Sequence, residues 1–492
     1  MSENSLQQKQ ILEQLAHRVM IAQGLLPDFS PAVLSELNQL GARTLPLPPN
    51  TRDLRALLWC SIDNDDSLDL DQLTVAEALP GGDTRVWVAI ADVSALVEPD
   101  SAINDHAWHN TTSVYTPAVN FPMLPERLST DLTSLNPDQN RLAIVVEMSF
   151  DGAGILTASN IYPALVRNHA KLAYNAVAAW LEGTGIIPPA LAAVPGLDQN
   201  LRLQDKIARQ MQRYRYQHGA LTLQTIESRA IFEGDQISAL APEEKNRAKT
   251  IIEDFMIAAN GVTARFLSAH GFPSLRRIVR EPKRWDRIVE IAANYGTVLP
   301  AQPDSKALED FLIQQQVQDP LRFPDLSLTI IKLLGPGEYV AEVPDGSSPG
   351  HFGLAVNEYS HSTAPNRRFP DLITQRLLKA AIYQQKTPYA GAELSSLATH
   401  CTEMEDVVKK VERQLNKSAA ALLLQSHIGE QFKAITTGAA AKGTWVRLLD
   451  FPIEGKLVHG FDGVDVGDRL RVQLISVDVE KGFIDFKRVN SH

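Results

Sequence analysis

Cysteine is almost missing: the 492 residues hold only Cys60 and Cys401, far apart in the chain. A disulfide scaffold is thereby excluded, and so is a CxxC zinc or redox motif. No run of about 18 apolar residues occurs, so no membrane-spanning helix is expected. The opening stretch MSENSLQQKQ is polar and lacks the basic-then-apolar order of a secretory signal. These absences point to a reducing compartment, most simply the cytoplasm. Positive charge is in deficit as well. Lys and Arg number 47 against 58 Asp and Glu, a formal net charge of −11. Phosphate binding wants positive surface, so local basic clusters rather than overall charge would have to meet a nucleic acid. Against these shortages stand 44% hydrophobic and 21% charged residues. That is ordinary globular usage, too apolar for a disordered chain. At roughly 150 residues per domain it makes about three domains.

The patterning changes along the chain. Residues 6–26 set Leu6, Ile11, Leu12, Leu15, Val19 and Met20 near a helical stripe. Ser30 and Pro31 read as the N-cap and first position of a second helix reaching about Leu40. LPLPPN at 45–50 then breaks regular structure. From 51 to 150 the pattern is that of strands, with RVWVAIADV (85–93) and RLAIVVEMSF (141–150) as apolar runs. Helices are predicted over 171–185, 203–219, 246–271 and 369–385, the second strongly basic. A long amphipathic helix is predicted over 404–430, with Val408, Val411 and Leu415 near its apolar stripe. Five short segments follow: 431–438, 443–450, 453–460, 467–478 and 482–489. Five strands at this spacing suit a small barrel, for which the OB-fold is the commonest candidate. The expected fold class is α+β. It comprises a helical appendage (1–44), a mixed α/β domain (45–385), a helical connector (386–430) and a five-stranded barrel (431–489).

The sharpest local feature is SIDNDDSLDLDQ (61–72), with Asp63, Asp65, Asp66, Asp69 and Asp71 close together. Two like charges 4 Å apart repel by roughly 4 kcal/mol at an effective dielectric of 20. A fold that converges several carboxylates needs a compensating cation or must protonate some. All-oxygen ligation points to Mg²⁺, with Mn²⁺ as the alternative. A calcium-binding EF-hand fails on spacing: Leu68 falls where Gly belongs, and Thr74 where the bidentate Glu belongs. Apolar Ile62, Leu68, Leu70 and Leu73 are interspersed with the acids, so the segment is expected to be anchored in a core rather than merely solvated.

This segment resembles the signature of the ribonuclease II (RNB) family of 3′→5′ exoribonucleases. Further segments resemble that family in its order: VWVAIADVSALV (86–97), YTPAVNFPMLPERLSTDLTSL (115–135), AKLAYNAVAAWL (170–181), IIEDFMIAAN (251–260) and HFGLAVNEYSHSTAPNRRFPDLITQRLL (351–378). The C-terminal segment resembles the ribosomal-protein-type RNA-binding OB barrel that follows in the family. The resemblance implies Mg²⁺-dependent, sequence-independent hydrolysis of single-stranded RNA to nucleoside 5′-monophosphates. It places Asp63, Asp69 and Asp71 on three of four metal-holding aspartates, with Gln72 at the fourth. A rival reading is an RNB-fold RNA-binding protein of weakened or lost activity, kept open by Gln72.

By the same resemblance Arg367 grips the scissile phosphate and Tyr174 stacks near the 3′-terminal base. Arg368 is a further phosphate candidate. Gln375 replaces a family histidine and takes no role. Asp65 and Asp66 fall outside the ligand positions, and Asp92 is expected to be structural. The densest basic stretch, 276–287, makes Arg276, Arg277 and Arg280 candidate RNA contacts. In the barrel, Trp445, Phe461 and His459 are stacking candidates beside Lys442, Arg447 and Lys456. Larger family members carry two cold-shock-type OB domains ahead of the acidic motif. The 62 residues before Asp63 are too few for these, so a short form is expected.

Overall fold

Helix α1 (Gln8–Ala22) buries Leu12, Leu15, Ala16, Val19 and Met20, the stripe that three- and four-residue spacing sets on one face. Helix α2 (Pro31–Leu40) starts where its cap requires: Ser30 Oγ accepts from Val33 N, and Pro31 occupies the first turn. The computed structural model describes residues 8–41, 47–225, 228–242, 245–344, 346, 349–440 and 443–489.

Strands β1 (Arg52–Asp53), β2 (Cys60–Asp63), β3 (Gln72–Ala78) and β4 (Thr84–Ala91) come next. Helix α3 (Ala102–Asn110) and a short hairpin, β5 (Val114–Tyr115) and β6 (Asn120–Phe121), interrupt the run. It resumes with β7 (Asn140–Phe150), β8 (Leu156–Arg167) and β9 (Ala170–Ala173). All but the hairpin strands form one seven-stranded sheet, ordered β1-β8-β7-β4-β3-β2-β9. Val86 to Ala91 are all buried, as befits a central strand covered on both faces.

Covering elements follow: α4 (Tyr174–Glu182), α5 (Pro189–Ala192), α6 (Leu197–Gln217), the hairpin β10 (Ser228–Glu233) with β11 (Gln236–Pro242), and α7 (Arg247–Ala269). Asn246 caps α7 by accepting from Lys249 N at 3.0 Å. Ile251, Phe255, Ala259 and Val262 then join the sheet's core.

Strand β12 (Ser274–Ile278) pairs antiparallel with β13 (Glu338–Glu342). Between them α8 (Trp285–Asn294), α9 (Ser305–Gln318) and α10 (Phe323–Leu334) enclose a separate core around Trp285, Phe311 and Phe323. No helix is predicted from the sequence over 285–334, where only the basic charges near its start stand out.

Helix α11 (Phe369–Ile382) is buried along nearly its whole length. Helix α12 (Gly391–Leu424) begins before the predicted start at 404, because Leu394, Ala398 and Cys401 continue the buried stripe N-terminally. The predicted Val408, Val411 and Leu415 are buried against α1.

The C-terminal strands are β14 (Gln431–Ala440), β15 (Gly443–Leu448), β16 (Glu454–His459), β17 (Arg469–Asp478) and β18 (Phe483–Arg488). They close a barrel in the order β14-β15-β16-β18-β17, an OB-type topology. Its core includes Ala420, Ala421 and Leu424 from the end of α12. Arg447 Nη2 to Asp325 Oδ2 (2.8 Å) and Arg322 Nη2 to Gly467 O (2.8 Å) tie the barrel to α10. Among the described residues no helix is long and apolar enough to cross a membrane.

Candidate active site

The acidic segment is fastened from both sides. Ile62, Leu70 and Leu73 are buried, whereas Leu68 is 60% exposed, so the anchoring expected of four positions rests on three. Ser134 Oγ donates to Leu68 O (2.7 Å) and accepts from Leu70 N (3.0 Å). Leu135 N donates to Leu70 O at 3.0 Å, and Ala91 N to Asp71 O at 2.9 Å. Asp71 is left 2% exposed at the head of β3. Asp63 and Asp69 are partly buried, while Asp65 and Asp66 are exposed turn residues. Gln72 is buried at the first position of β3, opposite Ile90.

A second loop meets this one. Residues 364–367 (APNR) precede α11, and Asp371 in that helix's first turn folds them back. Its Oδ1 accepts from Ala364 N (2.9 Å) and from Arg368 Nη2 (2.7 Å). The carbonyl of Arg367 accepts from Ser113 N (3.0 Å) and Thr112 Oγ1 (2.9 Å). So held, Asn366 N donates to Asp71 Oδ1 at 3.0 Å. Arg367 Nε lies 3.6 Å from Asp71 Oδ2, and its side chain stays 44% exposed.

Burial is the main force on the acids. It pushes the Asp71 carboxyl up to about 8, with Arg367 opposing and Asp69 reinforcing. Asp69 is raised too, by burial first, with Asp63 adding to the effect and Arg367 opposing it. The hydroxyl of Tyr115 belongs to the same electrostatic group: burial, against the pull of Arg367 and with the push of Asp69 and Asp71, takes it up to about 12.

The donor set fits a hard cation. Asp71 Oδ2 is buried with no hydrogen-bond partner among the described residues, a lone acceptor beside a second carboxylate. No three His, Cys, Asp or Glu side chains among the described residues stand close enough to hold a metal unaided. That is the condition Mg²⁺ tolerates, since one or two carboxylates, waters and substrate phosphate oxygens commonly complete its shell.

Other predicted residues fall in different places. Tyr174 opens α4 immediately after Ala173, which pairs with Asp63 across β9 and β2. Its ring lies 6.0 Å from Lys249 Nζ. Trp445 alternates with fully buried Val446 and therefore faces out of the barrel. Phe461 and His459 are also exposed. Arg447 is instead taken by Asp325, and Lys442 lies outside the described residues.

Three arginine expectations need correction. Arg276 is 1% exposed and forks onto Glu342. Arg277 forks onto Glu405 at 2.6 and 3.0 Å. Arg368 is held by buried Asp371. Each guanidinium is ion-paired inside the fold, because β13, α12 and α11 bring glutamates or an aspartate to it. Arg280 is exposed and paired with Glu338.

Sequence reasoning missed Tyr115, Ser134, Asn260 and Asp371. Asn260 Oδ1 accepts from Ser362 N at 2.9 Å and so steadies the approach to APNR. The Asp in FPDL, two residues into α11, was a legible helix-start signal. The others carried none without the fold. Asp92 is paired with Lys379 at 3.0 Å. Gln375 bridges Ala91 O and Ser94 N (2.8 Å each).

Residues 51–384 match the RNB domain. This chain belongs to the RNB family. Residues 430–489 match the RNase II-type exonuclease C-terminal S1 domain. Ribonuclease R of Aquifex aeolicus is 31% identical over 471 residues, covering 89% of this chain and 65% of that protein. The RNB chain described here thus spans under two thirds of that relative's length. Mycoplasma genitalium RNase R, solved with ribose-methylated single-stranded RNA, superposes with a TM-score of 0.87 at 24% identity, covering 97% of this chain and 78% of that one. Yeast Ssd1, described as a pseudonuclease, superposes with a TM-score of 0.71 at 15% identity, covering 94% and 57%. The RNB fold thus occurs both in a protein named ribonuclease and in one described as a pseudonuclease. Activity has to be argued from the site.

Proposed function

We propose that this chain is a 3′→5′ exoribonuclease that hydrolyses single-stranded RNA without sequence preference, releases nucleoside 5′-monophosphates, and uses Mg²⁺, with Mn²⁺ as the alternative. One observation carries the reading: buried Asp71, beside Asp69, meets a half-exposed Arg367 delivered by a loop 295 positions from Asn366's partner in the sequence. With a divalent cation on the carboxylates, the permanent cation of Arg367 would bind the scissile phosphate from its other side.

Asp69 and Asp71 would hold the cation, with Asp63 at the rim and Gln72 as a neutral oxygen donor alongside. When bound, a divalent cation activates water and neutralises charge on the scissile phosphate. RNB-family exoribonucleases are metal-dependent in general. The Asn366 N–H occupies Asp71 Oδ1 and leaves Oδ2 for ligation. Arg367 is a planar fork that does not deprotonate, suited to charge building on phosphate oxygens. Tyr115 keeps its proton through the neutral range and can donate it in a hydrogen bond to an RNA oxygen. Tyr174 serves as the stacking surface for the terminal base, and the outward Trp445 of the barrel for bases upstream.

Gln72 is the observation that favours the second reading, an RNA-binding protein whose site is weakened or inactive. Incubation with 5′-labelled RNA, with and without Mg²⁺, and a denaturing gel separate the two. The proposed activity produces Mg²⁺-dependent shortening from the 3′ end. Asp71→Asn abolishes it while RNA affinity stays within a few fold, since phosphate neutralisation and stacking elsewhere dominate binding. Tight binding with no shortening in either metal would establish the second reading.

A further inference from the structure

A cavity of about 410 Å³ opens between α6, the start of α7 and the start of α9, and it shares no residue with the carboxylate site. Arg209, Arg213, Arg247 and Lys306 line it, with Gln212 and Tyr216 between them. A narrower annex of about 110 Å³ continues along the groove between α6 and α7 as far as Thr250 and Ile251. The main volume falls in the range of small-ligand sites.

The charge balance sets the sign of the ligand. Asp205 pairs with Arg247 Nε (2.5 Å) and with Arg209 Nη2 (3.3 Å). Lys306 pairs with Asp310 on the next turn. Arg213 is exposed, and no ion pair claims it among the described residues. Among the described residues four cations therefore face two carboxylates, an excess of positive charge. Arg247 lines both volumes with its side chain 21% exposed, while Asp205 holds its Nε.

The cavity also has a definite place relative to the candidate active site. Arg247 and Lys249 differ by two residues, about 200° around the helix axis. Lys249 reaches the ring of Tyr174, so Arg247 leaves α7 on the opposite side.

We infer that this cavity binds the phosphate of a nucleotide or of an RNA strand, gripped by Arg209, Arg213 and Arg247 and flanked by Gln212 and Tyr216. Guanidinium forks match phosphate oxygens in pairs, and a volume of about 410 Å³ leaves room for further ligand atoms beside them.

Calorimetric titration of the full chain in EDTA, where no metal-dependent cleavage occurs, tests the inference. The probes are AMP, inorganic phosphate and a short 2′-O-methyl oligonucleotide. Wild type is expected to bind at least one of them, and Arg213→Glu and Lys306→Glu each to weaken that binding about tenfold, or ~1.4 kcal/mol. Both side chains are exposed, and unchanged melting temperatures confirm folding. Asp71→Asn should move the affected constant by no more than the few fold expected of RNA binding, well short of the tenfold loss at the cavity. Loss for AMP identifies a free nucleotide as the source of the phosphate, and loss for the oligonucleotide alone identifies the strand backbone. Wild type binding none of the probes, or both charge reversals binding all of them like wild type, overturns the inference. Because binding is read without turnover, either outcome stands independently of the nuclease reading.

Discussion

Two arginine doublets, Arg276–Arg277 and Arg367–Arg368, show how far one dipeptide diverges with its surroundings. The first lies in β12, where consecutive side chains leave on opposite faces, and each face supplies a carboxylate. Arg276 binds Glu342 and lies 3.4 Å from Glu358. Arg277 binds Glu405, with its guanidinium 4.7 Å above the Tyr339 ring. The second doublet sits at the mouth of α11. Asp371 neutralises Arg368, while Arg367 stays half-exposed beside Asp71. Three of the four arginines stabilise the fold. Only Arg367, whose side chain stays 44% exposed, remains available for a substrate.

The largest expected effect would break the first doublet. Arg276→Ala removes the buried guanidinium that forks onto Glu342, a loss of about 3–5 kcal/mol in urea unfolding. If RNA binding fell while stability held, the two doublets would be alike after all. For the second doublet, Arg367→Ala is expected to slow hydrolysis about 10²–10³-fold, the scale of losing one charge-stabilising donor. Its unfolding free energy should change by less than about 1 kcal/mol, because a half-exposed pair contributes little. Arg367→Lys should recover only a small part of the rate, since a point charge lacks the planar fork.

The pH axis sharpens the contrast on the structural side. Burial first, then the charge of Arg277, lowers the His351 ring from 6.5 to about 4. The unfolded chain therefore binds the proton more readily than the folded one. Stability from this group is present above pH 6.5 and is lost as pH falls from 6.5 towards 4, by at most about 3 kcal/mol. His351→Gln should flatten that limb of a melting-temperature profile. A profile left unchanged by the substitution would mean that the ring is solvated. The smallest effect belongs to the active-site side. Gln72→Asp adds a charge beside Asp71 and should lower the Mg²⁺ concentration for half-maximal rate a few fold. An unchanged metal titration would place Gln72 outside the ligand set.

Local patterns carried much of the architecture. The Ser30–Pro31 start of α2, the stripe of α12 and the five barrel strands all follow from neighbours three, four or two residues apart, interactions that need no fold to be read. The acidic cluster and the APNR element were legible as chemistry for the same reason, through their residue types and the family resemblance.

Which of those residues act together was decided by tertiary structure. Asp71 and Arg367 meet only because Ser134, Asp371 and the carbonyl clamp at Thr112 and Ser113 bend two distant loops onto each other. Of the basic run at 276–287, Arg276 and Arg277 became a buried ion-paired layer, while Arg280, Lys283, Arg284 and Arg287 stay exposed. The basic cavity arose instead from α6, α7 and α9, whose charges are scattered along the chain. A one-dimensional sequence displays the sign and density of charge. Whether a guanidinium faces a glutamate, a neighbour's carboxylate or water depends on long-range burial and pairing, and only the folded chain settles those.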